Sequence, residues 1–323
     1  MQNFIIVSLI DFVLSLVLIL VIMPFYINFL KKLGYNQSVS EYALDEYKEK
    51  AKTPIMGGLL FVLIPLIVIL VTNFSITKDP KAMMIIWSYI SFCFVGFLDD
   101  FLIIIMKDNK GLSPKLKMLI QLIFATIIFF VFRDAISDTI IIPIINIELP
   151  LGIFYGLFMV FMYAAESNAV NFTDGMDGLC AGVSSIALIP FIIFALLHQQ
   201  YDIAFIIIVI IGGLLGYLKY NFFPAKIFMG DSGSLALGAL FASLAVALDA
   251  EVLLLIVGGV FLWEMLCVCI QQIAVRIFHR RVFKYTPIHY AFVLRGLKEK
   301  KVVVLFYMIQ VICSIIGLVI GVI

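Results

Sequence analysis

Two adjacent acids, Asp99 and Asp100, end the motif at 96–100, directly after a long apolar run. Neighbouring carboxylates repel each other, and a hard cation that prefers oxygen ligands, such as Mg²⁺ beside phosphates, would relieve that repulsion. We therefore predict that both acids bind a metal. The alternative is a solvated pair that only ends a helix.

A second polar motif, at 168–178, combines two amides with two acids at a spacing of three residues. They are Asn168, Asn171, Asp174 and Asp177. On a helical turn the first three share one face, and a glycine directly after each acid, at 175 and 178, allows a ligand to approach the backbone closely. Helix capping by one acid is the alternative, although it leaves the other three residues unexplained.

A third motif, at 219–234, places Asn221, Gly230 and Asp231 before an apolar stretch that starts a helix. Helix N-termini attract phosphate through their free amides, and Asp231 could hold a cation that bridges to it. Alternatively, Asp231 or Ser232 only caps the helix.

A fourth motif, at 284–290, contains His289 and lies among arginines and lysines. Such a loop suits an anionic substrate, although polybasic segments beside a membrane commonly bind anionic lipid headgroups instead. Glu264 and Gln271 lie two turns apart on one face of the preceding apolar stretch. We predict that Gln271 contacts a ligand, and that Glu264 is a structural hydrogen-bonding residue.

The elements that carry these motifs are predicted to be membrane helices. The chain is 64% hydrophobic and 13% charged, against about a quarter charged in soluble domains, and a helix needs about 20 apolar residues to span a bilayer. Such stretches fall at 4–30, 55–75, 83–106, 117–133, 151–167, 178–197, 203–219, 232–249, 252–278 and 301–322. We predict an all-α polytopic membrane protein with about ten spans, forming a single domain over 1–323.

The charges give this arrangement an orientation. With ten spans, nineteen of the 22 lysines and arginines fall in one set of alternate loops. Because basic loops remain in the cytoplasm, we predict both termini outside and all four polar motifs on the cytoplasmic side. The outer loop at 139–149 is predicted to form a short β-hairpin. The five cysteines lack metal-ligand spacing and are expected to be reduced packing residues.

The motifs at 53–58, 96–100, 168–178, 221–234 and 287–289 resemble those of the polyprenyl-phosphate N-acetylhexosamine-1-phosphate transferases, especially the branch that serves peptidoglycan synthesis. The resemblance implies a bacterial inner-membrane enzyme that transfers phospho-MurNAc-pentapeptide from UDP-MurNAc-pentapeptide to undecaprenyl phosphate, giving lipid I and UMP. It also implies Mg²⁺ as cofactor, membrane lipid as surroundings, a homodimer, and no nucleic-acid partner.

By the same resemblance, Asp231 binds the metal, and Asp99 and Asp100 form the acidic pair near the metal and the lipid phosphate. The residues implied or predicted to contact the substrate are Lys115, Asn168, Asn171, Asp174, Asp177, Asn221, Phe228, Gly230, Gln271 and His289. Two positions depart from the family pattern. Ile103 stands where a lysine is frequent, and Tyr290 interrupts the histidine run.

Several alternatives remain open at this stage. A related enzyme would transfer N-acetylglucosamine-1-phosphate to the same lipid. A lipid or nucleotide transporter would place its acids near the bilayer midplane. Within the transferase reading, the lipid phosphate could attack directly, or an aspartate could first form a covalent intermediate.

Overall fold

The computed structural model describes residues 2–33, 53–106, 111–143, 145 and 147–322. Its α-helices are α1 Gln2–Leu33, α2 Gly58–Thr72, α3 Pro80–Met106, α4 Pro114–Phe132, α5 Phe154–Thr173, α6 Leu179–Leu197, α7 Tyr201–Asn221, α8 Asp231–Ala247, α9 Glu251–Val257, α10 Gly259–Phe278, α11 Ile288–Val293 and α12 Glu299–Val322. Short 3₁₀ helices follow α2 and α4, at Phe74–Lys78 and Arg133–Ala135.

Each of the ten predicted stretches falls on helix, and the ninth is broken at Gly258 into α9 and α10. Within the described residues, seven helices are long and apolar enough to cross a membrane, and α2 and α8 are shorter apolar helices. The chain is therefore a multi-pass helical membrane protein. The count of ten spans and the side of the termini stay predictions.

The predicted hairpin is present. Strand β1 (Thr139–Ile142) pairs antiparallel with β2 (Ile147–Pro150), so that Thr139 lies opposite Pro150 and Ile142 opposite Ile147. Three of the four β1 residues are isoleucines, and β-branched side chains favour the extended backbone.

The centre of the bundle is α8, whose residues from Ser232 to Ala247 are all buried. Its sequence is rich in glycine, alanine and serine, the small residues that let membrane helices approach closely. An added Cβ at Gly96 of α3 would overlap the backbone of Asp231, and one at Gly238 would overlap Ser167 of α5. These contacts set α8 directly against α3 and α5.

The segment before α8 is held by the motif at 53–58. The amides of Gly57 and Gly58 donate to the carbonyls of Phe228 and Met229, each at 2.8 Å, and the Phe228 amide donates to the Pro54 carbonyl at 2.8 Å. This short ladder fixes the chain that leads into Asp231.

Because Gly96 allows α3 and α8 to touch, we expect Gly96→Ala to lower stability by about 1–3 kcal/mol, the usual range for overpacking a core. Thermal unfolding of the detergent-solubilised protein would measure this change. Ile105→Ala, at an exposed position of the same helix, should unfold close to the wild-type temperature. Equal melting of Gly96→Ala and wild type would contradict the close contact.

Candidate active site

Three acids converge at the ends of two helices, as the sequence predicts. Asp99 and Asp100 lie in the last two turns of α3, and Asp231 is the first residue of α8. Each offers a carboxylate oxygen within 4.8 Å of the others. Asp99 and Asp100 are buried, whereas Asp231 is partly exposed. The cluster therefore opens to its surroundings mainly through Asp231.

Asp100 caps α8 from a different helix. Its Oδ1 accepts a hydrogen bond from the Asp231 amide and its Oδ2 accepts one from the Ser232 amide, both at 3.0 Å. The preceding Gly230 has a φ of +74°, and an added Cβ there would overlap the Asp100 carboxylate. The cap of α8 is thus Asp100, and neither Asp231 nor Ser232 supplies it.

A lysine that the sequence analysis did not select lies between two of the acids. The Nζ of Lys117 is 3.1 Å from Asp99 Oδ2 and 2.5 Å from Asp231 Oδ2. Lys115, the lysine favoured by resemblance, is exposed on the first turn of α4. The start of α4 could have indicated Lys117. Ser113 is the N-cap and accepts from the Leu116 amide, and Lys117 lies one helical turn after Ser113.

The amides of the motif at 168–178 divide between two roles. Asn171 Nδ2 donates to Asp231 Oδ1 at 2.8 Å and to Ser234 Oγ at 2.9 Å, so Asn171 belongs to the acid cluster. Asn168 lies one turn earlier and donates to Gln121 Oε1 at 2.8 Å, which ties α5 to α4. Asn168 therefore has a helix-packing contact, and its substrate contact stays a prediction.

Asp174 follows α5 and lies near the same cluster. Burial raises the pKa of Asp174 to about 7, and the negative charges of Asp231 and Asp177 act in the same direction. A hydrogen bond from the Gly230 amide opposes them. Asp174 is thus an acid whose proton affinity depends on Asp231.

Asp177 and Asn221 hold loops together. Asp177 Oδ2 accepts from the Ala225 amide at 2.9 Å. Asn221 accepts from the Gly178 amide and donates to the Ile227 carbonyl, both at 3.0 Å. Both side chains are buried. Asp177 and Asn221 therefore connect the motif at 168–178 to the motif at 219–234.

His289 and Glu264 form a buried pair. His289 Nδ1 lies 3.0 Å from Glu264 Oε1, and Glu264 also accepts from the amides of Ile288 and His289 at 2.7 and 3.3 Å. His289 Nε2 has no hydrogen-bond partner among the described residues, and it faces Gly175, where an added Cβ would overlap it. The structural role predicted for Glu264 agrees with these contacts.

The two remaining predicted contacts lie at the edges of this arrangement. Gln271 Oε1 accepts from the amides of Val282 and Phe283, at 3.1 and 2.9 Å. Phe228 is partly exposed and joins the ladder that precedes α8. The structure brings Asp99, Asp100, Asn171, Asp174, Gly230 and Asp231 together, with His289 reaching them through Gly175. Gln271 lies on α10 and holds the segment that follows that helix.

The donor set fits a hard divalent cation. Asp99, Asp100 and Asp231 supply only carboxylate oxygens, which Mg²⁺, Mn²⁺ and Ca²⁺ prefer. Within the described residues, no other group of three histidine, cysteine or acidic side chains meets at such a distance. The five cysteines are free and at least partly buried.

Comparison with known proteins places this arrangement in a family. Residues 82–249 match the model of glycosyl transferase family 4. The phospho-N-acetylmuramoyl-pentapeptide-transferase of Staphylococcus aureus (strain bovine RF122 / ET3-1) is 40% identical over 314 residues, which cover 96% of this chain and 98% of that protein. The chain belongs to the phospho-N-acetylmuramoyl-pentapeptide-transferase family. It is a phosphosugar transferase.

Two further relatives of the same name support this membership. The transferase of Geobacillus sp. (strain WCH70) is 38% identical over 308 residues, 95% of each chain, and that of Staphylococcus saprophyticus is 39% identical over 315 residues, 96% of this chain and 98% of that one. The match extends over nearly the full length of the transferase and includes all the site residues described above.

We expect Lys117→Met to reduce turnover roughly 100-fold, the usual cost of removing one positioned electrostatic contact from an active site. The variant loses the ammonium that joins Asp99 to Asp231. Release of nucleotide by the purified protein measures the effect, with Lys115→Met in parallel. A larger loss in Lys115→Met would restore Lys115 as the lysine of the site.

Glu264→Gln keeps the shape of the residue that orients His289 but removes its charge. Partners that orient a functional side chain typically contribute 10- to 100-fold, so we expect a decrease of about 10-fold in turnover. Because Glu264 acts through His289, adding Glu264→Gln to His289→Ala should cost little more than His289→Ala alone. Additive losses in the double variant would show that Glu264 acts separately.

Proposed function

We propose that the transferase moves phospho-MurNAc-pentapeptide from UDP-MurNAc-pentapeptide to undecaprenyl phosphate, forming lipid I and UMP in peptidoglycan synthesis. The observation that carries the proposal is the cluster of Asp99, Asp100 and Asp231 with Lys117, in a chain related over nearly its full length to transferases named for this sugar-peptide. A transporter is disfavoured, because these acids lie at the ends of helices.

We further propose Mg²⁺ as the cation that Asp99, Asp100 and Asp231 hold. When bound, the cation neutralises charge on the diphosphate and on the departing UMP. Lys117 contacts Asp99 Oδ2 and Asp231 Oδ2, so a cation held by these acids would weaken both ion pairs. Lys117 would then be available to an anionic oxygen of the substrate.

Phosphoryl transfer between two anions depends mainly on alignment and charge neutralisation. Lys117 supplies a positive charge beside the acids, and Asn171 fixes the orientation of the Asp231 carboxylate. A phosphate monoester has its second pKa near 6, so the lipid phosphate is largely ionised at neutral pH. A role of Asp99 as proton acceptor is correspondingly small.

The contacts of Asp100 bear on the covalent route. Both of its carboxylate oxygens accept amides of α8, so nucleophilic attack by Asp100 would disrupt the start of that helix. We therefore favour direct attack by the lipid phosphate, and Asp99 is the better candidate nucleophile if a covalent intermediate forms.

We propose ten spans in one domain over residues 1–323, with both termini outside and the acid cluster on the cytoplasmic side of the bacterial inner membrane. The placement of nineteen of the 22 basic residues in one set of loops supports this orientation. The acids at the end of α3 and the start of α8 lie beside two of those loops. A homodimer is expected from the resemblance.

Release of UMP by the purified transferase, with undecaprenyl phosphate and Mg²⁺, tests the proposal directly. UDP-MurNAc-pentapeptide and UDP-N-acetylglucosamine are offered in parallel, and we expect turnover of the first alone. Asp231→Asn should fold normally and lose nearly all turnover, because it removes a metal-holding charge at the partly exposed end of α8.

Turnover of UDP-N-acetylglucosamine alone would assign the chain to polysaccharide initiation. Near-normal activity of Asp231→Asn would refute the assignment of the acid cluster as the active site. Activity in the presence of a chelator, with no added cation, would refute the metal.

A further inference from the structure

The residue after His289 also reaches the loop that follows α5. Tyr290 lies in the first turn of α11, and its hydroxyl donates to the Gly175 carbonyl at 2.8 Å. An added Cβ at Gly175 would meet both His289 Nε2 and the Tyr290 hydroxyl. Two consecutive side chains of α11 therefore pack against a single glycine, and that glycine directly follows Asp174.

The ring of Tyr290 contacts two other rings. Its centroid lies 4.3 Å from that of His289 and 5.4 Å from that of Tyr285. Aromatic rings in such contacts stabilise one another, and the Tyr290 side chain is partly buried. The packing of the ring gives the hydroxyl a fixed direction, and the same ring restricts the rotation of His289.

The backbone that accepts this hydrogen bond forms a tight turn. The Asp174 amide donates to the Asn171 carbonyl at 3.1 Å, and the Gly175 amide donates to the Thr173 carbonyl at 2.9 Å. The Asp174 carboxyl accepts from the Gly230 amide, at the start of α8. A hydrogen bond to the Gly175 carbonyl therefore acts on the residue next to this acid and helps to fix where the acid lies.

The other end of the same loop is held by a second tyrosine. The Tyr307 hydroxyl, from α12, donates to the Gly178 carbonyl at 2.6 Å. Tyr307 is partly buried, as Tyr290 is. The two tyrosines make the same kind of contact with one loop, but Tyr290 lies at the end that carries Asp174 and also contacts His289.

We propose that Tyr290 is a positioning residue for the nucleotide substrate. Its hydroxyl fixes Asp174 through Gly175, and its ring fixes the orientation of His289. The inference rests on the proposed function, because it takes Asp174 and His289 as contacts of UDP-MurNAc-pentapeptide. Tyr290 interrupts the histidine run of the family, so in this chain a phenol holds the loop from that position.

The test compares Y290F with Y307F in the full-length protein. Each variant removes a hydroxyl that donates to a glycine carbonyl of the loop after α5, and each keeps its ring. UMP release is measured while the nucleotide sugar and undecaprenyl phosphate are varied separately, with whichever nucleotide sugar the wild type turns over. Thermal unfolding and hydrogen exchange of the loop are measured on the same samples.

We expect Y290F to raise the KM for the nucleotide sugar about 5- to 10-fold, the effect of losing one hydrogen bond. The kcat should change little, because contacts made equally in the ground state and the transition state affect KM alone. The KM for undecaprenyl phosphate should stay near that of wild type. Y307F should lose a similar amount of thermal stability and exchange faster in the loop, yet keep the nucleotide KM of wild type.

A third variant approaches the same contact from the loop. In Gly175→Ala, the added Cβ displaces the side chains of His289 and Tyr290, so the nucleotide KM should rise there too. Because both changes break one contact, adding Y290F to Gly175→Ala should cost little more than Gly175→Ala alone.

An unchanged nucleotide KM in Y290F would overturn the proposal. An equal rise in Y290F and Y307F would also overturn it, because both variants would then act through the stability of the loop. So would a rise confined to the KM for undecaprenyl phosphate. Turnover of UDP-N-acetylglucosamine alone by the wild type would refute the proposed function instead, and the comparison of Y290F with Y307F would then decide the role of Tyr290 on that substrate.

Discussion

The contact between the Asp100 carboxylate and the first amides of α8 is the interaction on which the site depends. A carboxylate at a helix N-terminus is stabilised by the free amides and by the helix dipole, and here it is supplied by another helix. It joins α3 to α8, with Gly96 and Gly230 leaving the necessary space. Asp99 is thereby brought beside Asp231. The closeness of Asp99 and Asp231 is a consequence of how Asp100 packs against α8.

The resulting cluster is unbalanced in charge. Three carboxylates meet, and Lys117 is the one basic side chain in the described part of the chain that forms an ion pair with them. Like charges at such distances destabilise each other, and rigid helix ends prevent them from separating. This excess of negative charge suits an enzyme whose two substrates are anions, because a divalent cation beside Lys117 would offset it without reorganising the protein.

Residue types and their spacing predicted the helices, the hairpin and the acids that meet. They did not predict Lys117, because two lysines near the start of α4 have the same chemistry and only the face of the helix separates them. Substrate contacts of Asp177 and Asn221 stay predictions, and what the sequence did not indicate is that both side chains are buried and bind backbone groups of neighbouring loops. The break at Gly258 was also missed. Side-chain direction and hydrogen bonds between distant segments decide these features, and neither is visible in local spacing.

The break at Gly258 gives α10 a special position. Gln310 of α12 donates to the Val257 carbonyl at 2.6 Å, so a carbonyl exposed by the break has a partner. Beyond it, α10 carries Glu264, which orients His289, and Gln271, which holds the segment at 279–287. His289 contacts Gly175, next to Asp174. The helix α10 thus connects the segment at 279–287 to the loop after α5 through side-chain contacts. Such a link transmits binding energy only if α10 has two arrangements that a ligand distinguishes, and a helix broken at paired glycines is an element suited to that.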